Sequence, residues 1–358
     1  MFGLLKILHA IDGRGWGGAE TVVASLASGL AERGHQVTLW TSKKGGCQEI
    51  FKKRVHKDVK IQQVPLLNDG DLFSMIKFCT ALRKYDIVHV HLSHAAVLSM
   101  MATRFLPPQY RTKLLCHFHS AIVNPKHYKN HSQGVCVSKT VERYVNTRIP
   151  WIRTWQVYNG IDLDDAETAR PLLPPSGKIR IGYLARMSEK KGQPDLVKAV
   201  KSLGSFGKKV ELLLGGEGKF SQDLKRLAAG LGIAERVRFL GFVPPEQAFS
   251  FWKTVDIACF PTYGEGFSLS VLEAMAAGLP VVAYDDPAVM EVIGETGLVV
   301  PVGDIQKLGQ ALGEIIQDRE KRLEFGSLAI SRSKRFTVGA MVEGMEKVYR
   351  SIIGQATI

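Results

Sequence analysis

Short apolar runs alternate with longer segments of helical spacing along most of the chain. Leu4–Ile11 reads as a buried strand, and Gly13-Arg-Gly-Trp-Gly-Gly18 as a glycine-rich turn. Ala19–Arg33 places apolar residues at helical intervals and stops at Gly34. Gln36–Trp40, Ile61–Leu66, Asp86–Leu92, Lys113–His119, Val135–Ser138 and Gln156–Val157 follow as short strands, most separated by helix-length segments. Asp162–Gly177 breaks the pattern, first acidic and then proline-rich (Pro171, Pro174, Pro175), and reads as a linker. A second series begins at Lys178, with strands expected at Ile179–Ala185, Val210–Leu214, Val237–Phe242, Asp256–Phe260, Val281–Tyr284 and Leu298–Pro301. Alternating β and α at this period predicts an α/β fold with parallel, doubly wound sheets. The expected organisation is two Rossmann-like domains facing a cleft, residues 1–165 and 166–337, with a last helix within 338–358 returning to the first.

Composition leaves this picture in place and adds one asymmetry. At 358 residues the chain suffices for two cores, and no apolar run approaches a membrane span. Lys6 and His9 interrupt Met1–Ile11, which therefore reads as a strand rather than a signal peptide. Five scattered cysteines without ligand spacing suggest reduced thiols in a cytosol. The net charge is +13, and residues 1–160 hold 22 Lys+Arg against 9 Asp+Glu, so the whole excess sits there. Such a half-chain suits a polyanionic partner: nucleic acid, anionic lipid headgroups or a phosphorylated acceptor.

The candidate chemistry clusters in the second series. Pro261–Pro280 reads as a turn and helix between two strands, with Ser268 or Ser270 as cap, Glu265 in the turn and Glu273 in the helix. In a parallel sheet this turn lies at the carboxyl ends of the strands, where such folds bind ligands. Two acceptors about two helical turns apart suit two hydroxyl-bearing parts of one ligand. Arg186 and Lys191 share a strand-to-helix loop, and two cations there can grip a diphosphate. Gly215-Gly-Glu-Gly218 is a second such loop, suited to close approach of a nucleoside. Together these loops describe a nucleotide-sugar diphosphate site.

In the first half, Gly15-Trp-Gly-Gly18 opens a helix whose N–H groups would hold an anion, a weak signal by itself. The dinucleotide fingerprint fails, because Trp40-Thr41-Ser42 offers no ribose-binding acid. His89, His91 and His94, or His117 and His119, invite a metal reading, but no cysteine or carboxylate completes a set. Structural or donor-facing histidines are the expectation, and no metal. Lys43–Lys60 is strongly basic (Lys52, Lys53, Arg54 and Lys57 among others), and Phe51, Val55 and Val59 at helical spacing would make an amphipathic surface helix.

On these residues the chain resembles the retaining glycosyltransferases of family 4, which have the GT-B fold, over essentially its whole length. The matches are Gly17, Gly18 and Glu20; Gly34-His35-Gln-Val; Asp86-Ile-Val-His-Val-His91; Val137-Ser138; Tyr158-Asn-Gly-Ile-Asp162; Arg186 and Lys191; Gly216 and Gly218; and Glu265 with Glu273. The resemblance implies that Glu265 bonds donor-sugar hydroxyls, with Gly266, Phe267 and Ser268 beside it, and that Glu273 bonds the ribose. It implies that Arg186 and Lys191 neutralise the diphosphate, that Gly18 brings backbone close to the donor phosphate or acceptor, and that His119 faces the donor sugar. The expected activity moves a sugar from a nucleotide diphosphate donor, UDP favoured, to a glycan or lipid-linked acceptor of cell-surface polysaccharide or lipopolysaccharide. No cofactor and no nucleic acid are expected, and the location is cytoplasmic, at the inner face of the membrane if the basic patch docks there. A GDP-sugar-dependent mannosyltransferase, a sugar-nucleotide epimerase of the same fold and a non-catalytic sugar-nucleotide binder are the rivals within this resemblance. A dehydrogenase would need the ribose-binding acid that this chain lacks, and a nucleic-acid binder would not explain a nucleotide site in the electroneutral half.

Overall fold

The computed structural model describes residues 3–13, 15–42, 47–64, 72–163, 177–204 and 209–355. The expected linker falls mostly on residues 164–176, outside that set. The chain forms two compact units, residues 1–160 with 338–358 and residues 161–337.

The first unit is built on β1 (Lys6–Ile11), β2 (Gln36–Ser42), β3 (Lys60–Val64), β4 (Ile87–His91), β5 (Leu114–Phe118), β6 (Gln133–Cys136) and β7 (Arg153–Gln156). They form one sheet in the order β3-β2-β1-β4-β5-β6-β7, parallel at every pairing. Its helices are α1 (Gly18–Glu32), α2 (Cys47–Arg54), α3 (Leu72–Lys84), α4 (Leu92–Ala102) and α5 (Lys139–Arg148). β4 and β5 are buried at every position, as strands covered on both faces are.

The second unit contains β8 (Ile179–Leu184), β9 (Val210–Gly215), β10 (Val237–Gly241), β11 (Ile257–Phe260), β12 (Val281–Tyr284) and β13 (Gly297–Val300). Their order is β10-β9-β8-β11-β12-β13, again parallel throughout. Its helices are α6 (Gln193–Ser202), α7 (Ser221–Gly230), α8 (Ala248–Trp252), α9 (Leu269–Ala276), α10 (Pro287–Ile293), α11 (Ile305–Gln317) and α12 (Arg319–Ser333). The sequence-predicted strands agree to within two residues at their ends, except that β7 begins three residues earlier than expected. In both sheets the order reverses beside the first strand, the arrangement that opens a crevice at carboxyl ends.

The last helix, α13 (Val338–Gln355), packs on α1 in the first unit. Gly29 permits the approach, since a Cβ there would lie 2.6 Å from Val342 Cγ2. Polar ties fix it: Arg33 donates to Glu346 at 2.9 Å, and the Nε2 of His35 meets the other Glu346 oxygen at 2.9 Å. The other ring nitrogen of His35 accepts from Leu5 N–H, which leaves its Nε2 to carry the proton toward Glu346.

Candidate functional site

In the second unit, the loops after β8, β9, β11 and β12 are sewn together at the carboxyl edge of the sheet. Met187 N–H donates to Glu217 O at 3.0 Å, and Tyr263 N–H to Lys190 O at 3.0 Å. Ser270 Oγ donates to Leu184 O at 2.6 Å. The glycines are what let these backbones meet. A Cβ at Gly216 would lie 2.1 Å from Ala185 O, one at Gly218 2.0 Å from Met187 O, and one at Gly192 1.8 Å from Pro261 O. Gly192 and Gly216 also have φ of +63° and +119°, which only glycine adopts freely. The sequence reading assigned Gly216 and Gly218 to ligand approach; in the fold their tightest neighbours are protein backbone.

This lacing sets Arg186 and Lys191 in one loop. The Arg186 side chain is exposed and makes no hydrogen bond or ion pair among the described residues. Lys191 is half-buried and ion-paired with Glu265. Thr262, only 1% exposed, donates its hydroxyl to the same Glu265 oxygen at 2.7 Å. The Gly264–Glu265 turn is clamped from below by Asp286, whose Oδ2 accepts from Gly264 N–H at 2.7 Å and Glu265 N–H at 3.3 Å. Its Oδ1 caps α10 through Ala288 and Val289 N–H. Neither Thr262 nor Asp286 was singled out from the sequence. The Asp286-Pro287 pair, a cap followed by proline at the first helical position, was the available signal.

Glu273 lies in α9, half-buried, with the indole N–H of the buried Trp252 at 3.5 Å from its Oε2. Gly266, Phe267 and Ser268 are buried, and the Phe267 ring stands edge-on to Phe336 at 5.9 Å. The expected serine cap is also corrected. Ser268 is at the N-cap without a side-chain bond, and Ser270 spends its hydroxyl on β8 instead. A cavity of about 460 Å³ elsewhere in this unit, lined by Arg180, Glu211, Arg238 and Phe251, contains none of the residues that sequence reasoning selected.

In the first unit, Gly18 is exposed at the first position of α1. Glu20, buried in the same turn, already puts a carboxylate at this helix end, which weakens the expected pull on an outside anion. On β1, β4 and β5, His9, His89, His91 and His117 alternate with apolar residues and share one face. His119 follows β5, half-buried, its ring stacked on His117 with centroids 4.2 Å apart. Nδ1 of His9 meets Nε2 of His91 at 3.0 Å, and Nδ1 of His91 meets Nε2 of His119 at 3.1 Å. Beside them, His117 meets His89 at 3.2 Å, and His89 meets the Tyr349 hydroxyl of α13 at 2.8 Å.

Burial holds all five imidazoles neutral: His9 and His119 are pushed down to about 3, and His89, His91 and His117 well below the usual range. Two triads, His9–His89–His91 and His91–His117–His119, bring ring nitrogens within 4.8 Å of one another. Yet the desolvation that keeps these rings uncharged also penalises a dication, and neither triad contains a carboxylate to offset it. His94 stands apart, its Nδ1 3.1 Å from Asp12.

The basic stretch is rearranged. Lys43 and Lys44 lie outside the described residues. Lys52, Lys53 and Arg54 end α2, and Lys57 follows it. Phe51 and Val59 are buried at 0% and 6% exposure, so the apolar face expected to meet a membrane lies in the core. Exposed apolar residues occur on α3 instead, Leu72, Phe73 and Ile76 at 66%, 55% and 56%, as well as at Leu4, Phe105, Ile122 and Trp151. None of the helices described is long and apolar enough to cross a membrane.

Two family models match, "Glycosyltransferase Family 4" over residues 16–165 and "Glycosyl transferases group 1" over residues 164–332. Among curated proteins the chain is similar to a phosphatidyl-myo-inositol mannosyltransferase of Mycolicibacterium smegmatis, 27% identical over 94% of this chain and 91% of that protein. It is also similar to the D-inositol 3-phosphate glycosyltransferase of Corynebacterium jeikeium, 32% identical over 54% of this chain; the match spans 48%, about half, of that relative. Among solved structures, Anabaena HepE in complex with UDP and glucose superposes with a TM-score of 0.81 at 20% identity, covering 97% of this chain and 100% of that one, which is a likeness of fold.

Proposed function

The chain belongs to the glycosyltransferases that these two models describe, and on that premise we propose a retaining, metal-independent enzyme that moves a sugar from a nucleotide diphosphate donor to a glycan or lipid-linked acceptor. One observation carries the reading: the loops of the second unit hold an unpaired Arg186 and a Lys191–Glu265 pair in adjoining turns at the carboxyl edge. Departure of a nucleoside diphosphate builds negative charge on its terminal phosphate. A guanidinium and an ammonium in one loop stabilise that charge without a metal. Lys191 has three N–H donors, so it can keep Glu265 and still bond a phosphate oxygen. Glu265, tied by Lys191 and Thr262, is a hydrogen-bonding group for sugar hydroxyls rather than a free nucleophile, which favours attack from the leaving-group face. Glu273 takes the ribose, and His119 the transferred sugar.

UDP-sugars are the first expected donors. A second reading, a GDP-sugar-dependent mannosyltransferase, is favoured by the mannosyl transfer to phosphatidylinositol in the relative's name. Thermal-shift titration with UDP-, GDP- and ADP-sugars separates the two, since only the true nucleotide should raise the melting temperature at micromolar concentration. Transfer should survive excess EDTA, and product NMR should show the donor's anomeric configuration. Loss of activity in EDTA with recovery on manganese, or an inverted product, would overturn the mechanism.

The charge of the first unit supports peripheral contact with an anionic bilayer, through Lys52, Lys53, Arg54 and Lys57. Each cation at such a surface contributes on the order of 1 kcal/mol. Sedimentation with anionic vesicles is expected at low salt and to fade at high salt as screening shortens. The four cations changed together to Glu should abolish it. Persistence in that variant would move the contact elsewhere, and persistence at high salt would direct attention to Leu72, Phe73 and Ile76.

A further inference from the structure

We propose that His91 is a positioning residue that fixes the tautomer and orientation of His119, so that His119 presents Nδ1–H outward as a hydrogen-bond donor. The inference rests on the reading above in assigning His119 to the transferred sugar. His91 is wholly buried at the end of β4, flanked in register by Ile11 of β1 and His117 of β5. The chain passes from His91 into α4 with no intervening loop, through Leu92 at φ 65°, the one non-glycine residue with positive φ among those described. A left-handed leucine costs on the order of 1–3 kcal/mol and persists only where its surroundings demand it.

The hydrogen bonds run His9 Nδ1, His91 Nε2, then His91 Nδ1, His119 Nε2. Each neutral imidazole carries one proton, so the chain has a single direction, one way or the other. If His119 were the first donor, His9 would end with an N–H on Nε2. That atom is buried and has no acceptor, and orphaned buried N–H groups are rare. The reverse direction leaves only a bare lone pair there. His9 Nδ1–H therefore donates to His91, and His91 Nδ1–H donates to His119 Nε2. The proton of His119 is then on Nδ1, which makes no hydrogen bond among the described residues and is absent from the buried unpaired atoms. A neutral N–H donor of this kind suits a sugar hydroxyl or ring oxygen, and burial against the stacked His117 ring keeps it neutral.

The test uses the full-length enzyme with ¹⁵N-labelled histidine. In the wild type, His119 should show Nδ1 protonated and Nε2 bare. His91→Phe keeps a planar aromatic ring, somewhat larger than imidazole, and removes the donor. It should release His119 into a tautomer mixture and lower kcat tenfold to hundredfold with donor KM changed less than threefold. His91→Asn, whose amide nitrogen replaces Nδ1, should restore the wild-type spectrum and most of kcat. A merely structural His91 would lower the melting temperature in both variants without moving the His119 signals. A wild-type spectrum with the proton on Nε2, or His91→Phe with unaltered tautomer and kcat, would overturn the proposal. His119→Ala checks the underlying reading separately. Full activity in that variant removes the sugar-facing role and leaves the tautomer result standing.

Discussion

Lys191→Ala is expected to reduce transfer a hundredfold to a thousandfold, the range for removing one preorganised group that meets transition-state charge. Two effects add. The ammonium no longer meets the departing phosphate, and Glu265, whose side chain is 13% exposed, loses its counter-ion. With the ammonium gone, Glu265 keeps the Thr262 hydroxyl but loses the charged tie that holds it for sugar hydroxyls. Arg186→Ala removes a charge that is exposed and already solvated, so its effect falls on binding. Calorimetry should show nucleoside diphosphate affinity weakened by about 1.5–3 kcal/mol, the range for charged hydrogen bonds. Glu265→Gln should depress turnover while leaving nucleotide affinity near wild type, and Glu273→Gln should weaken nucleotide binding itself. Unchanged affinity in Arg186→Ala with unchanged turnover in Lys191→Ala would remove the diphosphate from this loop. The opposite pattern in the two glutamates would exchange their roles.

Acid should unfold the first unit well before ordinary carboxylate titration does. His9 and His119 are held near 3 by desolvation, with His89, His91 and His117 depressed beside them, while an unfolded histidine titrates near 6.5. Above 6.5 both states are neutral and these groups leave stability unchanged. As pH falls below 6.5 the unfolded chain binds protons that the folded unit refuses, so stability is lost toward the folded values. At pH 5 this amounts to roughly 2 kcal/mol for each of His9, His119 and the buried His131, with His89, His91 and His117 acting in the same direction. That is a large part of the stability of a domain. Melting temperature should therefore fall steeply between pH 6.5 and 5. His9→Leu, which removes one refusing site and a buried unpaired nitrogen, should make the fall shallower. A melting temperature level from pH 7 to 5 would mean that the imidazoles take up protons in the folded state.

Much of this architecture was legible along the chain because it depends on local repetition. Strands such as Ile87–His91 and Val281–Tyr284 are buried on both faces, so they stand out as apolar runs between helical segments. Arg186, Lys191 and Glu265 were legible as well, since a loop that follows a strand must emerge at the carboxyl edge of a parallel sheet. The sequence also placed Phe51, Val55 and Val59 at helical spacing, but spacing says nothing of where a helix stops. α2 ends at Arg54, and Val59 reaches the core by another path.

By itself, then, the sequence determined the class of fold, the sheet edge at which Arg186, Lys191 and Glu265 lie and the charge of each half. These follow from periodicity, chain direction and composition, which need no knowledge of distant partners. Only the tertiary structure decided who touches whom: Lys191 with Glu265, Asp286 beneath the Gly264–Glu265 turn, and Gly192 against Pro261. The histidines show the division most plainly. Sequence could place His89 and His91 on one face of a strand. It took the neighbouring strands, bringing His9 from 82 residues before His91 and His119 from 28 residues after it, to join His91 to both in one hydrogen-bonded, uncharged chain. Spacing along a strand is set by the backbone, whereas the partners of a buried polar ring are set by which strands lie side by side.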